Sequence, residues 1–227
     1  MAMQPGMSNR QLLLFIVVWL ALLAGAFALD RPAAQGARDS GLEHWTKERG
    51  TAGKRIAWTA KLPGNFLFWL APIGALCVWH RLRLHAGGFV LVTASLGLLN
   101  SVFKWSFGRL RPFKPDDILA PFDWHPFPKG IIGLFVQPPN LSFPSGHCST
   151  VFAAAASMAL LLPRWRWGFY AIAVMVAAER VAENAHYVSD TVAAAGISII
   201  GVHLMWRIFR QMLSRDAGAA QIESVIR

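Results

Sequence analysis

Three short clusters of reactive residues lie in the second half of this sequence. The first, Lys104-Trp-Ser-Phe-Gly-Arg-Leu-Arg111-Pro112, sets a lysine point charge and an arginine fork seven residues apart, followed by a proline that stiffens the chain. Such a pair can converge on one phosphoryl group, although cations at a membrane boundary also serve as plain headgroup contacts. The second, Ser142-Phe-Pro144-Ser145-Gly146-His147, has the Pro and Gly of a tight turn directly before an apolar run. Ser145 is near a helix-cap position, Gly146 contributes a backbone N–H, and a helix amino terminus binds anions through its free N–H groups and dipole. His147 at that turn can hand a proton to a leaving oxygen. The third, Glu179-Arg180-Val-Ala-Glu183-Asn184-Ala-His186-Tyr-Val-Ser189-Asp190, places a carboxylate four residues after a histidine. On one helix that spacing shares a face, so Asp190 can hold one imidazole nitrogen of His186 and leave the other free as a nucleophile or base. Arg180 would point about 120° away on a straight helix. Either its side chain bends back or a new helix starts after it.

Together the clusters supply three cations (Lys104, Arg111, Arg180), two histidines and one orienting carboxylate. A metal site is the rival reading, because His186 and Asp190 have ligand-like spacing. Three cations around one point would repel a divalent ion, so no metal or organic cofactor is expected.

The elements that must position these residues read as membrane helices. Of 227 residues, 55% are hydrophobic and 15% charged, against roughly 25% charge in an average soluble domain. Apolar runs occupy Leu12–Leu29, Phe66–Trp79, Gly87–Phe103, Cys148–Leu162, Phe169–Ala178 and Thr191–Trp206, with tryptophans near their ends. The first run nearly matches the roughly 20 residues needed to span hydrocarbon. It is read as a retained anchor, the alternative being a signal peptide cleaved after Ala26-Phe27-Ala28. The expected fold is an all-α, polytopic membrane protein of about six transmembrane helices, one domain over 1–227, with the motif region at 104–190 gathered at helix ends on one face.

Six spans put the polar stretch Asp30–Pro63 and the loop Lys104–His147 on one side. The short links around Arg81-Leu82-Arg83 and Arg164-Trp165-Arg166 fall on the other, which the positive-inside rule makes cytoplasmic. A bacterial-type inner membrane with the site facing the periplasm is the expected location. The stretch 30–63 carries Arg31, Arg38, Lys47, Arg49, Lys54, Arg55 and Lys61 and reads as an interfacial helix or loop against lipid headgroups. The net charge of +10 is dispersed in short clusters. It favours anionic lipids and phosphorylated substrates over nucleic acid, and no obligate protein partner is implied. Cys77 and Cys148 form no CxxC pair and are expected to be packing residues.

The three segments resemble the signature of the type 2 phosphatidic acid phosphatase superfamily, which includes bacterial acid phosphatases and vanadium haloperoxidases. The family pattern is Lys-x6-Arg-Pro, Pro-Ser-Gly-His and Ser-Arg-x5-His-x3-Asp. It is met by Lys104, Arg111 and Pro112, then Pro144, Ser145, Gly146 and His147, then Arg180, His186 and Asp190. Glu179 stands where the pattern has Ser. The resemblance implies hydrolysis of a lipid phosphate without a metal, through a phosphohistidine on His186 held by Asp190. His147 is then the acid, and Lys104, Arg111, Ser145, Gly146 and Arg180 bind the phosphoryl oxygens. Lipid A, undecaprenyl diphosphate, phosphatidylglycerol phosphate and phosphatidic acid all fit as substrates. A lipid phosphotransferase is the alternative, and a non-catalytic scaffold or transporter a third reading. The loop Phe113–Gln137, with Asp116, Asp117, Asp123 and His125, has no part in the motif and is expected near the headgroup pocket.

Overall fold

In the computed structural model the described residues are 6–47, 52–69, 96, 99–112, 123–136 and 140–226, with the side chains of 43, 66, 209 and 212–226 excepted. The helices are α1 (Asn9–Asp39), α2 (Leu42–Lys47), α3 (Ala52–Lys61), α4 (residues 99–107), α5 (Gly146–Leu161), α6 (Arg166–Ala182) and α7 (Val188–Ile226). Single 3-10 turns occupy Leu62–Gly64, Phe66–Trp69 and Pro163–Trp165. Among the described residues the only β pairing is two isolated bridges, Arg109 with Trp124 and Leu110 with Leu141.

Two of these helices, Asn9–Asp39 and the Val188–Ile208 part of α7, are long and apolar enough to cross a membrane, and Gly146–Leu161 is a shorter apolar helix. Most of the second and third apolar runs, Cys77, the Arg81-Leu82-Arg83 link, Asp116 and Asp117 lie outside the described residues.

Helix α1 begins with a capping box: Ser8 Oγ accepts the Gln11 N–H at 3.2 Å, and Gln11 Oε1 accepts the Ser8 N–H at 2.8 Å. It runs ten residues past the end of its apolar stretch and stops where Gly41 takes φ +70°. The polar stretch expected to begin at Asp30 as an interfacial element is thus helix from its first residue. Burial of Asp30, described below, explains the extension. The outward side of α1, including Leu13, Leu14, Val17, Val18, Leu20 and Leu22, is exposed, as on a helix facing lipid.

Helices α1 and α7 run antiparallel. The Met7 N–H donates to His203 Nδ1, Trp19 Nε1 donates to the Val192 carbonyl, and Asp30 meets Ser189. Trp19 packs against Gly196, where a Cβ would lie 2.0 Å from the indole Nε1. Helix α5 forms the centre, and its Ala153–Ala156 run is fully buried. Small side chains let α6 and α7 approach closely. Cys148 is a buried free thiol in this packing.

Candidate active site

Backbone hydrogen bonds knit the three clusters together at one end of the bundle. Arg109 and Arg111 pair with the strand-like segment before α5: the Ser142 N–H donates to the Arg109 carbonyl at 2.7 Å and the Arg111 N–H to the Asn140 carbonyl at 3.1 Å. The Ser145 N–H donates to the Asp190 carbonyl at 3.1 Å, which ties the start of α5 to the start of α7. The clip after α4 depends on Gly108, at φ +60°, where a Cβ would lie 1.7 Å from the His125 carbonyl oxygen. The sequence-predicted residues Lys104, Arg111, Ser145, Gly146, His147, Arg180, His186 and Asp190 therefore converge on the ends of α4 and α6 and the starts of α5 and α7.

Lys104 points at the amino terminus of α5, its Nζ 4.0 Å from where a Cβ on Gly146 would sit. Burial and the Arg111 charge depress its pKa to about 8. Arg111 donates from Nε to the Leu141 carbonyl at 3.2 Å, and burial followed by the Arg180 charge lowers its pKa. Ser145 occupies the N-cap position, yet its hydroxyl makes no capping bond. The Oγ is buried without a hydrogen-bond partner among the described residues, so it remains open to a ligand. By helix geometry the first N–H groups of α5, including that of Gly146, lack intrahelical acceptors.

The third cluster departs from the single-helix expectation. Helix α6 ends at Ala182 and α7 begins at Val188, so His186 lies in a turn. Asn184 takes the left-handed conformation at φ 52°. Its N–H bonds the Val181 carbonyl and the Ala185 N–H bonds the Arg180 carbonyl, a Schellman arrangement. This break removes the 120° problem: Arg180 closes one helix while Asp190 sits in the first turn of the next. Asp190 Oδ2 accepts the Tyr187 N–H at 2.9 Å and lies 3.5 Å from His186 Nδ1. The His–Asp pair is thus built by a helix start, with the carboxylate serving as cap and partner together.

His186 is buried, and burial outweighs the opposing pull of Asp190 to hold its pKa down to about 3. His147 is lowered to about 4 by burial and then by the Arg180, Lys61, Lys104 and Arg111 charges. Both imidazoles are neutral near pH 7, the form in which a nitrogen lone pair is available.

Arg180 is clasped by carboxylates. Its Nε donates to Glu179 Oε2 and Nη2 to Glu179 Oε1, both at 2.6 Å, and Nη2 also reaches Glu183 Oε2. Burial opposes the charge, but the Glu179 hydrogen bonds prevail and raise the Arg180 pKa. The residue that departs from the family pattern therefore orients the guanidinium and offsets part of its charge. Lys61 of α3 extends the chain of charges, donating to Glu183 Oε1 at 3.1 Å. The following 3-10 turn presses on His147, where a Cβ at Gly64 would come within 2.8 Å of the imidazole Cδ2. His125 pairs with Asp123 at 2.8 Å on the exposed side of the loop.

Three residues with no assigned role in the sequence reading lie directly behind this site. Arg109 is fully buried and donates from Nη1 to Asp190 Oδ1 and Ser189 Oγ, and from Nη2 to Asp30 Oδ2, each at 2.6 Å. An aspartate at the end of an uncharged eighteen-residue run was the available signal, since such a carboxylate needs a partner.

The PAP2 superfamily model matches residues 85–213, more than half of the chain and all three clusters. The chain belongs to the PAP2 superfamily. Similar proteins include a lipid A 1-phosphatase of Rhizobium johnstonii, 36% identical over 149 residues (64% of this chain, 51% of that protein), and an undecaprenyl-diphosphatase of Sulfolobus acidocaldarius, 28% identical over 134 residues (57% and 58%). This PAP2 chain spans about half the length of the curated relatives it matches. Its fold matches the crystal structure of a transmembrane PAP2-type phosphatidylglycerolphosphate phosphatase from Bacillus subtilis, with a TM-score of 0.59 at 19% identity over 88% of this chain and 96% of that one. The fold is that of a helical membrane protein. Among the described residues no group of three or more His, Cys, Asp or Glu side chains is arranged to hold a metal ion.

Proposed function

We propose that this PAP2 protein is an integral membrane lipid phosphatase that removes a terminal phosphate from a lipid. The observation that carries the reading is geometric: His186 lies 3.5 Å from the Asp190 carboxylate and within electrostatic reach of Lys104 and Arg111, beside the amino terminus of α5. Binding alone needs the cations and not the His–Asp pair.

In the proposed mechanism the phosphoryl oxygens are held by Lys104, Arg111, Arg180, the Ser145 hydroxyl and the Gly146 N–H. His186 Nε2 attacks phosphorus and forms the P–N bond. The P–O bond to the lipid breaks, its electron pair stays on the lipid oxygen, and His147 supplies the proton. Asp190 stabilises the positive charge on the imidazole through Nδ1–H. Water then attacks the phosphohistidine, gives its proton to His147, and phosphate leaves with His186 restored. Burial first, and then the surrounding cations, depress the His147 pKa; a bound phosphate dianion offsets the second cause and so favours the protonated acid.

The lipid tail stays in the bilayer, and an active site at helix ends receives the headgroup by lateral diffusion. Similarity to the lipid A 1-phosphatases makes a lipid A glycosyl phosphate the first substrate to test, ahead of undecaprenyl diphosphate, phosphatidylglycerol phosphate and phosphatidic acid. Six spans in a bacterial-type inner membrane, with the site facing the periplasm, complete the proposal.

The test is phosphate release by detergent-purified protein from a panel of these lipids. His186→Ala should abolish turnover and acid-labile phosphate labelling, while His147→Ala slows the first step. Orthovanadate should inhibit and EDTA should not. Full activity in His186→Ala overturns the mechanism, and label appearing in a lipid or sugar acceptor instead of inorganic phosphate makes the protein a transferase.

A further inference from the structure

The buried contacts behind His186 form a network that joins three elements. Asp30 of α1 accepts from Arg109 Nη2 at 2.6 Å, from the Ser189 N–H at 2.8 Å and from the Ser189 hydroxyl at 2.5 Å. Arg109 in turn donates to Asp190 Oδ1 at 2.6 Å, leaving Oδ2 for the Tyr187 N–H and for His186 Nδ1. Asp30, Arg109 and Asp190 are all 0% exposed; burial raises the Asp30 pKa, and the hydrogen bonds from Ser189 and Arg109 oppose it and favour the carboxylate. The guanidinium is boxed by rings: its carbon lies 4.1 Å from the Tyr187 centroid, 5.1 Å from Trp124 and 5.5 Å from Phe27. Water is kept from the charges and the arginine has no room to swing.

We infer that Asp30 and Arg109 are positioning residues for catalysis, fixing the orientation and charge of Asp190 and through it the nucleophile His186. The geometry supplies two reasons. First, Asp190 offers one oxygen to each neighbour, so the Arg109 contact sets which way the carboxylate plane faces and keeps Oδ2 towards the imidazole. Second, an arginine paired with Asp190 alone would draw negative charge away from His186. Asp30 takes the other arm of the fork and shares that positive charge, so Asp190 can still stabilise an imidazolium. Ser189 fixes Asp30 to the same helix turn that carries Asp190. Because Asp30 lies outside residues 85–213, the device ties the first helix to the Lys104–Asp190 residues, all of which lie within the family region.

The inference rests on the phosphatase reading above, and the experiment separates the two. The full chain, purified in detergent, is compared as wild type, Asp30→Asn, Ser189→Ala and His186→Ala for kcat and KM on a lipid phosphate and for orthovanadate affinity. Asp30→Asn keeps the shape of the side chain and should lower kcat by about 100-fold, the scale of a misplaced reacting group, with KM and vanadate affinity within about twofold of wild type. Ser189→Ala should show the same pattern more weakly, and it carries the test if Asp30→Asn does not fold. Unchanged kcat in the variant that folds overturns the inference. So does a parallel loss of kcat and vanadate affinity, which marks a merely structural role. Activity retained in His186→Ala instead removes the phosphatase mechanism itself.

Discussion

Two arginines of this PAP2 protein are each held between carboxylates, and their surroundings differ. Arg109 sits in a dry layer with Asp30, Ser189 and Asp190, ringed by Phe27, Trp124 and Tyr187, none of its charge reaching solvent. Arg180 is buried as well, its side chain and that of Glu179 each 6% exposed, but its network opens through Glu183, 14% exposed, to Lys61 at the mouth, 29% exposed. In the dry layer, removing one partner strands a buried charge. In the second network only the Lys61 end is open enough for water to replace a lost partner. One network fixes geometry, while the other adjusts how much charge the phosphate meets.

The largest expected effect tests the dry layer. Arg109→Ala leaves the buried carboxylates of Asp30 and Asp190 without their shared cation and should destabilise the fold by about 3–5 kcal/mol, measured by thermal unfolding in detergent. A loss similar to that of a mouth substitution would erase the distinction.

The next is in the Arg180 network. Glu179→Ser installs the family residue and frees Arg180 from its bidentate partner. Phosphate should then meet more positive charge, and KM should fall by roughly three- to tenfold, the worth of about one net hydrogen bond. A rise in KM would show that Glu179 is needed more for orienting the guanidinium than for moderating its charge.

The pH dependence sharpens the same contrast. Lys104, with its pKa near 8, carries its charge below that pH and loses it above. The kcat/KM of the wild type should therefore fall as pH rises through about 8, and Lys104→Arg should move that limb upward. The histidines act in the opposite sense on stability. His186 and His147 are depressed to about 3 and about 4, so the unfolded chain binds more protons than the folded one below its own pKa of about 6.5. Their contribution is fully present above about pH 6.5 and declines as pH falls towards 4 and 3. The thermal midpoint should drop on acidification across that window, and less so in His147→Asn.

The smallest effect is Lys61→Ala, expected to cost about 1 kcal/mol or less, because its ion pair with Glu183 is partly solvated. A loss near that of Arg109→Ala would show that the α3 strap is as rigidly bound to the site as the buried layer.

The chemistry-bearing residues were legible because their types and spacing are local. Lys104 to Arg111, Pro144 to His147 and Arg180 to Asp190 are each short segments in which side-chain chemistry and helix-end signals coincide. Local periodicity also marked the apolar stretches of α1, α5, α6 and α7. It ended the apolar run at Leu29 and read the stretch from Asp30 as an interfacial helix or loop, whereas contacts of Asp30 to Arg109 and Ser189 accompany a continuous α1 as far as Asp39. It also read His186 and Asp190 as one helix face. The positive φ of Asn184 breaks the helix there, and no spacing rule reports which asparagine will do so.

By itself, then, the sequence determined the inventory: an apolar helical chain, three cations, two histidines and a carboxylate in family order. Only the tertiary structure decided that Asp30 of the first helix and Arg109, seventy-nine residues apart, lie against Asp190, and that Glu179 clasps Arg180. The physical reason is that a buried charge has no local signature of its partner. Its complement is chosen by whichever helix end the packed bundle brings within hydrogen-bonding reach, and that distance exists only once the helices have closed around it.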